Sequence, residues 1–274
     1  MESQSRLLNI LKYLYDCTDA EHDVSSKEIV QMLESNGISS TDRRTIDTDI
    51  DALIAAGYDI QKKHRQGAPA RYKVVGRDVD TVELKILIDA IAASQFINAE
   101  RSKHIIQRLA SLASLSDREG LLCETKSLIS IKNAVGRNMY IADDLYHAIV
   151  AKRKIEYQMI DYSVPDMEPV PHRNGHVYTV SPYARIWSND RYYLVAHEEE
   201  RDAILTPRVD HIQNIKILDE PIFPAPPDFD IGYYYSTTYK MYTGPEHQIT
   251  LICDNSLIGK MIDRFGKSFE CIPI

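Results

Sequence analysis

The chain has 274 residues, 44% of them hydrophobic and 26% charged, and a formal net charge of -8. This composition excludes a disordered chain, and the length is typical of two or three domains. The negative charge repels nucleic acid, so nucleic-acid binding requires a local basic patch. The four cysteines lie far apart without a paired motif, which favours free thiols in a cytoplasmic protein over a disulfide framework or a zinc site. No apolar run approaches the roughly 20 residues of a membrane span, and the first residues have no signal-peptide layout.

The first two helices are predicted before residue 37. Leucine and isoleucine residues over 7–14 indicate the first helix. Ser25 or Ser26 is the expected N-cap of the second, because Glu28 follows at the spacing of a capping box. The polar residues 16–23 separate the two helices.

The third helix, over residues 41–57, carries the strongest functional signal. Ile46, Ile50 and Leu53 form one apolar stripe, Ser40 or Thr41 is the expected N-cap, and Gly57 the expected stop. The opposite face begins with two adjacent arginines and small hydroxyl side chains, which suit insertion into a DNA major groove. The candidate groove-binding residues are Arg43, Arg44, Thr45 and Thr48.

A hairpin with a basic tip is predicted next. Apolar residues alternate around a turn that contains Gly67 and Pro69, and residues 60–77 contain six basic residues and no acid. Three helices and a hairpin predict a winged helix-turn-helix domain over residues 1–77. The candidate phosphate-binding residues are Lys62, Lys63, Arg65 and Arg71. Because Asp47, Asp49 and Asp51 offset the helix arginines, most non-specific DNA affinity is expected from the hairpin; an ordinary solvated hairpin is the alternative.

The rest of the chain is predicted to contain a helical region and then a β domain. Apolar residues at helical spacing over 78–145 favour a connector that pairs with a second subunit, or an ordinary core. Strands at about 154–159, 176–187, 191–197 and 203–217 predict a small β-barrel over 146–220. A linker is expected at 221–245, followed by a short α/β extension at 246–274 with a strand at 248–253 and a helix at 257–265. The fold class is thus α+β and multidomain.

Two stretches resemble a known family. Residues 43–57 (RRTIDTDIDALIAAG) resemble the recognition helix of DeoR-like winged-helix regulators, whereas 180–195 (VSPYARIWSNDRYYLV) and 208–212 (RVDHI) resemble the core of a WYL domain. The resemblance implies a dimeric bacterial transcriptional regulator. It also implies that the β domain is an Sm-like or SH3-like five-stranded barrel that senses an anionic effector, a nucleotide or a single-stranded nucleic acid.

Strand alternation and the resemblance together select a candidate ligand site. Residues 181, 183 and 185 are expected to point away from the barrel core, and Arg208 aligns with the family's Arg-x-Asp signature. Arginine and tyrosine side chains in one place suit a phosphate and a base. The candidate residues are Ser181, Tyr183, Arg185, Tyr192, Tyr193, Arg208 and His211. The alternative is that Arg208 and Asp210 are a structural ion pair and the tyrosines belong to the core.

Three positions depart from the family pattern. Tyr192 stands where the family has tryptophan, and Thr48 stands where many relatives have arginine. His211 replaces a common arginine or lysine, and an imidazole with a pKa near 6.5 predicts pH sensitivity.

Enzyme and metal motifs are not predicted. The acids of the third helix imitate a calcium loop but lack its glycine and final glutamate. His172 and His176 share a loop without the pattern of a zinc site, and no glycine-rich phosphate loop or nucleophile elbow is present. We therefore expect no cofactor and no catalysis, and the alternative function is an interaction or scaffold protein that has lost DNA binding.

Overall fold

The structure of the protein is a computed structural model. The structure describes residues 2–38, 42–64, 67–123, 125–130, 132, 138–164, 166, 168–238, 241–242, 244, 247–267 and 269–272. The chain divides into two compact units, Met1–Ala134 and Val135–Ile274. The units contain both helices and antiparallel sheets, so the protein is a mixed α and β structure.

The first half of unit one consists of three helices and a small sheet. Its elements are α1 (Glu2–Cys17), β1 (Val24–Ser25), α2 (Ser26–Ser35), α3 (Arg43–Ala55), β2 (Ile60–Lys63) and β3 (Arg71–Val74). The sheet is antiparallel with the order β1-β3-β2, so the predicted hairpin gains a short third strand. The apolar stripe of α3 lies in the core, because Ile46, Ile50 and Leu53 are all buried.

The helix ends confirm part of the predicted capping. Ser25 caps α2, and Glu28 completes the capping box by accepting from the Ser25 backbone at 2.7 Å. Gly57, with φ of 100°, follows the end of α3 as predicted. The N-cap of α3 is Asp42, whose carboxylate accepts the Thr45 N–H at 2.7 Å. The predicted N-cap was therefore wrong: Ser40 and Thr41 lie outside the described residues, and the residue after them caps the helix.

The second half of unit one is helical. Its helices are α4 (Thr81–Ala93), α5 (Ala99–Ala110), α6 (Leu115–Leu122) and α7 (Thr125–Ser130). They share one core, to which α4 contributes Leu84, Ile88 and Ala92. A second apolar face of α4 is open to solvent. The buried Lys132 ammonium donates to the carbonyl oxygens of Ile91 and Ser94.

Unit two is built on an antiparallel sheet. Its helices and strands are α8 (Asn138–Ala151), β4 (Arg153–Tyr162), β5 (Pro169–Pro171), β6 (Val177–Ser188), β7 (Arg191–Glu198), β8 (Ala203–Leu205), β9 (Ile212–Pro221), α9 (Ile231–Thr237) and α10 (Ile258–Phe265). The strand order is β5-β4-β6-β7-β8, and β9 also pairs with β4. Within the described residues β8 does not pair with β9, so the ladder does not close into the expected barrel.

Several predicted boundaries in unit two differ from the structure. A 3-10 turn at Val209–His211 divides the strand expected over 203–217 into β8 and β9. Helix α9 lies in the segment predicted as a linker. Residues 248–253 are not a strand, whereas the helix expected after them is α10. No described helix is long and apolar enough to cross a membrane.

Candidate functional site

The N-terminal end of α3 presents two unpaired cations. Arg43 and Arg44 are exposed, and neither guanidinium forms a hydrogen bond or ion pair with any residue that the structure describes. The hydroxyls beside them are already engaged as donors. Thr45 Oγ1 donates to Asp42 at 2.7 Å, and Thr48 Oγ1 donates to the Arg44 carbonyl at 3.0 Å. The two arginines are therefore the groups on this face that are most available to an anionic partner.

Arg6 and Lys62 compensate part of the charge of the three aspartates of α3, of which Asp51 remains 67% exposed. Asp49 is buried, and its carboxylate accepts from Arg6 Nε at 2.6 Å and Arg6 Nη2 at 3.2 Å. Asp47 accepts from the buried Tyr72 hydroxyl at 2.7 Å, and Asp51 Oδ1 lies 2.5 Å from the Lys62 ammonium. The expected offset of the helix arginines by these acids is therefore weaker than the sequence indicates.

The same contacts reduce the free charge of the β2–β3 hairpin. Lys62 bridges back to α3, and Arg71 Nε lies 2.5 Å from Asp23 Oδ1. Lys63 is exposed and has no partner among the described residues, whereas Arg65 lies outside them. The Arg77 guanidinium donates to the carbonyl oxygens of Tyr15 and Thr18 and so belongs to the fold. The balance of available charge thus shifts from the hairpin toward α3.

The predicted ligand residues do not form one cluster. Strand β6 has a register shift between Pro182 and Ala184, so the strict alternation expected over 181–186 is broken at Tyr183. Ser181 was expected to face outward but is buried, and its hydroxyl accepts the Phe223 N–H at 2.8 Å. Tyr183 packs against Phe229, at 5.5 Å between ring centroids. Its hydroxyl is buried and has no hydrogen-bond partner in the described structure.

Arg185 and Tyr192 belong to a different contact. Arg185 Nη1 donates to the Ala142 carbonyl of α8 at 2.6 Å. Its guanidinium lies 5.5 Å from the Tyr146 ring centroid and 5.6 Å from that of Tyr192. Tyr192 also packs edge-on against Trp187 at 4.6 Å. The arginine therefore ties β6 to α8.

The other three predicted residues line a cavity of about 460 Å³ in unit two. Tyr193, Arg208 and His211 contribute to its wall. The cavity has further lining residues that were not predicted from the sequence. Four of them bear on its chemistry: Tyr157, Arg173, Arg201 and Tyr242. Tyr157 lies on β4, but Arg173, Arg201 and Tyr242 come from turns and the C-terminal segment, where no local periodicity marks a binding residue.

Two of the three cavity arginines have carboxylate partners. Arg208 binds Asp210 in a bidentate manner, with Nε–Oδ1 and Nη2–Oδ2 distances of 3.1 and 2.7 Å. Arg201 Nε lies 3.3 Å from Oε2 of the buried Glu198, although the geometry is not that of a hydrogen bond. Arg173 is exposed and has no acidic partner among the described residues. It occupies a left-handed turn, with φ of 45°.

Burial changes the titration of two other cavity groups. Burial, and then the charge of Arg208, lower the pKa of His211 below its ordinary value, so the imidazole is neutral at pH 7. Burial also raises the pKa of Tyr157, whose hydroxyl therefore remains protonated. That hydroxyl is enclosed and has no hydrogen-bond partner in the described part of the chain.

Comparison with known proteins identifies the class of this second unit. Residues 141–217 match the model of the WYL domain, which covers strands β4 to β8, most of β9 and every residue that lines the cavity except Met241 and Tyr242. Among solved structures, the chain is similar to proteasome accessory factor B/C (PafBC) of Arthrobacter aurescens, with 18% identity and a TM-score of 0.35. That comparison covers 87% of this chain and 34% of the other, so the chain spans about a third of that protein's length. No curated protein matches the chain.

Proposed function

We propose that the chain is a cytoplasmic, DNA-binding transcriptional regulator. In this proposal residues 1–77 form a winged helix-turn-helix related to DeoR-like regulators, in which α3 enters the major groove and the β2–β3 hairpin lies along the phosphate backbone. The observation that carries the proposal is the exposed and unpaired state of Arg43 and Arg44 at the start of α3. An arginine fork fits the edge of guanine and also fits a phosphate.

The ion pairs of the hairpin determine which basic residues of this surface are available to DNA phosphates. Lys62 and Arg71 have carboxylate partners at 2.5 Å, so each offers less charge to a phosphate than an unpaired lysine. Lys63 remains available on the hairpin. We therefore assign much of the phosphate attraction to the arginines of α3, and expect affinity to fall steeply with salt.

The WYL domain is the sensor in this proposal. Its open sheet takes the place of the closed Sm-like barrel that the resemblance implies, and in this proposal the domain binds an anionic effector, a nucleotide or a nucleic acid. The support is the cavity that brings Tyr193, Arg208 and His211 together. Binding of the effector then modulates the affinity of the N-terminal region for its operator. The proposal includes no catalysis and no cofactor.

The proposal also includes a homodimer. Helix α4 buries one apolar face, yet Val82, Ile86 and Leu87 are 68%, 64% and 45% exposed. A helix with apolar residues on two faces is usually covered on both. A second copy of the chain that packs on this face places two α3 helices on one DNA, as a symmetric regulator requires.

The DNA test begins with capture of sheared genomic DNA from the source organism by the full chain, followed by sequencing. Fluorescence anisotropy with an enriched fragment then compares the wild type with Arg44→Ala and Arg108→Ala. The second variant removes another exposed arginine, from α5, and serves as the matched control. We expect Arg44→Ala to weaken binding by about 10-fold or more, because a good arginine–base contact contributes roughly 1–3 kcal/mol.

The outcomes separate the proposed function from its alternative. If no fragment is enriched, the chain is an interaction or scaffold protein rather than a DNA-binding regulator. If fragments are enriched but Arg44→Ala binds as the wild type does, another surface contacts the DNA.

A further inference from the structure

We infer that the cavity of the WYL domain binds a single nucleoside monophosphate and not a strand of nucleic acid. The inference rests on the proposed function for the role of this ligand as the effector. Its evidence is the charge, the buried hydroxyl and the size of the cavity, and none of these depends on DNA binding.

The charge of the cavity fits one anionic group. Single-strand binding surfaces use a continuous positive groove that follows several nucleotides. Here Asp210 neutralises Arg208, and Glu198 lies against Arg201, so these two cations are largely compensated. Arg173 is the lining arginine without an acidic partner in the described structure. Its planar fork fits one phosphate in a bidentate manner.

A buried hydrogen-bond donor in the cavity indicates a second group that the ligand must carry besides its phosphate. Tyr157 is 1% exposed, and its hydroxyl has no hydrogen-bond partner among the described residues. A buried polar group without a partner is costly and is usually satisfied by protein, water or ligand. The hydroxyl stays protonated, so it can donate to an acceptor atom on a base or a ribose. A ligand that fits the site thus has a phosphate for Arg173 and a hydrogen-bond acceptor for Tyr157.

The aromatic walls of the cavity suit a planar base, and its volume suits a ligand of nucleotide size. Tyr193 and Tyr242 offer aromatic surface, and Tyr157 is stacked on Tyr178 with ring centroids 5.4 Å apart. The volume of about 460 Å³ lies within the range of roughly 300–1,000 Å³ that small-molecule sites occupy. The Thr206 hydroxyl donates to the Met241 carbonyl at 2.5 Å and so fixes the C-terminal segment at the cavity.

Isothermal titration calorimetry of the full chain, without DNA, tests the inference. The probes are AMP, CMP, GMP and UMP, with the four corresponding nucleosides, inorganic phosphate and a 12-nucleotide oligothymidylate lacking a 5′-phosphate as comparisons. We expect at least one monophosphate to bind with one molecule per chain. Its nucleoside and inorganic phosphate alone should each bind about 10-fold more weakly or worse, because each lacks one half of the recognised group.

Two variants assign the binding to the cavity. Arg173→Gln should weaken the best monophosphate by about 10-fold or more, and Tyr157→Phe by about 5-fold. The matched controls Arg264→Gln and Tyr140→Phe change exposed residues that do not line the cavity and should leave binding unchanged. Tyr157→Phe removes an unsatisfied buried hydroxyl, so the thermal midpoint of the unliganded chain should not fall. A purely structural tyrosine does not combine intact stability with weakened binding.

Three results overturn the inference. The first is that none of the four monophosphates binds. The second is that the oligothymidylate binds more tightly than every monophosphate, which indicates a strand-binding surface. The third is that Arg173→Gln binds as the wild type does. Because the titration contains no DNA, failure of the DNA capture leaves these results interpretable.

Discussion

At the scale of single residues, the fold lowers the pKa of His211, and this shift gives a testable dependence of stability on pH. Its position was expected to make the site pH-sensitive, and the surroundings set the direction. Burial and the nearby Arg208 lower its pKa, while Asp210 and Asp161 oppose this effect. A histidine that is harder to protonate in the folded chain than in the unfolded chain destabilises the fold when it takes up a proton.

We therefore predict that the WYL domain loses stability on acidification. The contribution of His211 is complete above about pH 6.5, the ordinary pKa, and is lost as the pH falls from there toward the lower folded pKa. The slope contributed by this one group is at most about 1.4 kcal/mol per pH unit. Urea denaturation between pH 5 and 8 measures it. His211→Gln should flatten the profile in this window, whereas His147→Gln, on the exposed face of α8, should not. An unchanged slope in His211→Gln contradicts the assignment.

At the scale of elements, the start of α2 shows how a local signal fixes a helix end. Ser25 Oγ accepts the Glu28 N–H at 3.2 Å, and the Glu28 carboxylate accepts from the Ser25 backbone and hydroxyl. We predict that Ser25→Ala lowers the free energy of unfolding by about 1–2 kcal/mol, because it removes the cap of a helix that supports α3. Urea denaturation tests this, with the exposed Ser35→Ala as control. Equal stability of the two variants contradicts a structural capping box.

Features that depend on neighbouring residues were predictable from the sequence, whereas features that depend on strand pairing were not. The capping box and the stripe of Ile46, Ile50 and Leu53 were predictable because each depends on neighbours within one or two turns. The bulge at Tyr183 depends on how β6 pairs with β7. The burial of Ser181 could not be read from strand alternation either, because its hydroxyl accepts the N–H of Phe223, which lies 42 residues further along the chain. The ladder also departs from the expected barrel: β8 contains only three residues and does not pair with β9 in the described part of the chain.

The residues of the candidate sites differ in the same way: some depend on local sequence, and others depend on tertiary contacts. The exposure of Arg43 and Arg44 was predictable from the sequence, because the periodicity of a surface helix separates its polar face from its apolar face. The ion pair between Lys62 and Asp51 was not predictable, because only the packing of the hairpin on α3 brings these two side chains together. Arg173 and Tyr242 were missed because turns and tails reach the cavity through tertiary structure alone.

At the scale of the whole molecule, the proposed regulator requires two DNA-reading helices and therefore two chains. The second apolar face of α4 is the surface through which we propose that the two chains pair. We predict that the wild-type chain is a dimer and that Ile86→Lys makes it monomeric. Ile86 is 64% exposed within one chain, so a lysine there costs the monomer little, whereas an ammonium buried between two apolar faces is unfavourable. Sedimentation equilibrium measures the mass. The control is Val164→Lys, which places the same charge at a residue that is 94% exposed in unit two.

The dimer prediction also has a consequence for DNA binding. Two linked half-sites gain affinity by making the second contact intramolecular, an effect of about 100-fold or more in favourable geometry. Ile86→Lys should therefore weaken binding to a captured two-fold symmetric fragment by about that factor, while its α3 surface is unchanged. Binding to a single half-site should be equal in the variant and the wild type. If the wild type sediments as a monomer, the dimer prediction is wrong. If Ile86→Lys remains a dimer, the subunits meet elsewhere, and the apolar residues of α4 need a different explanation.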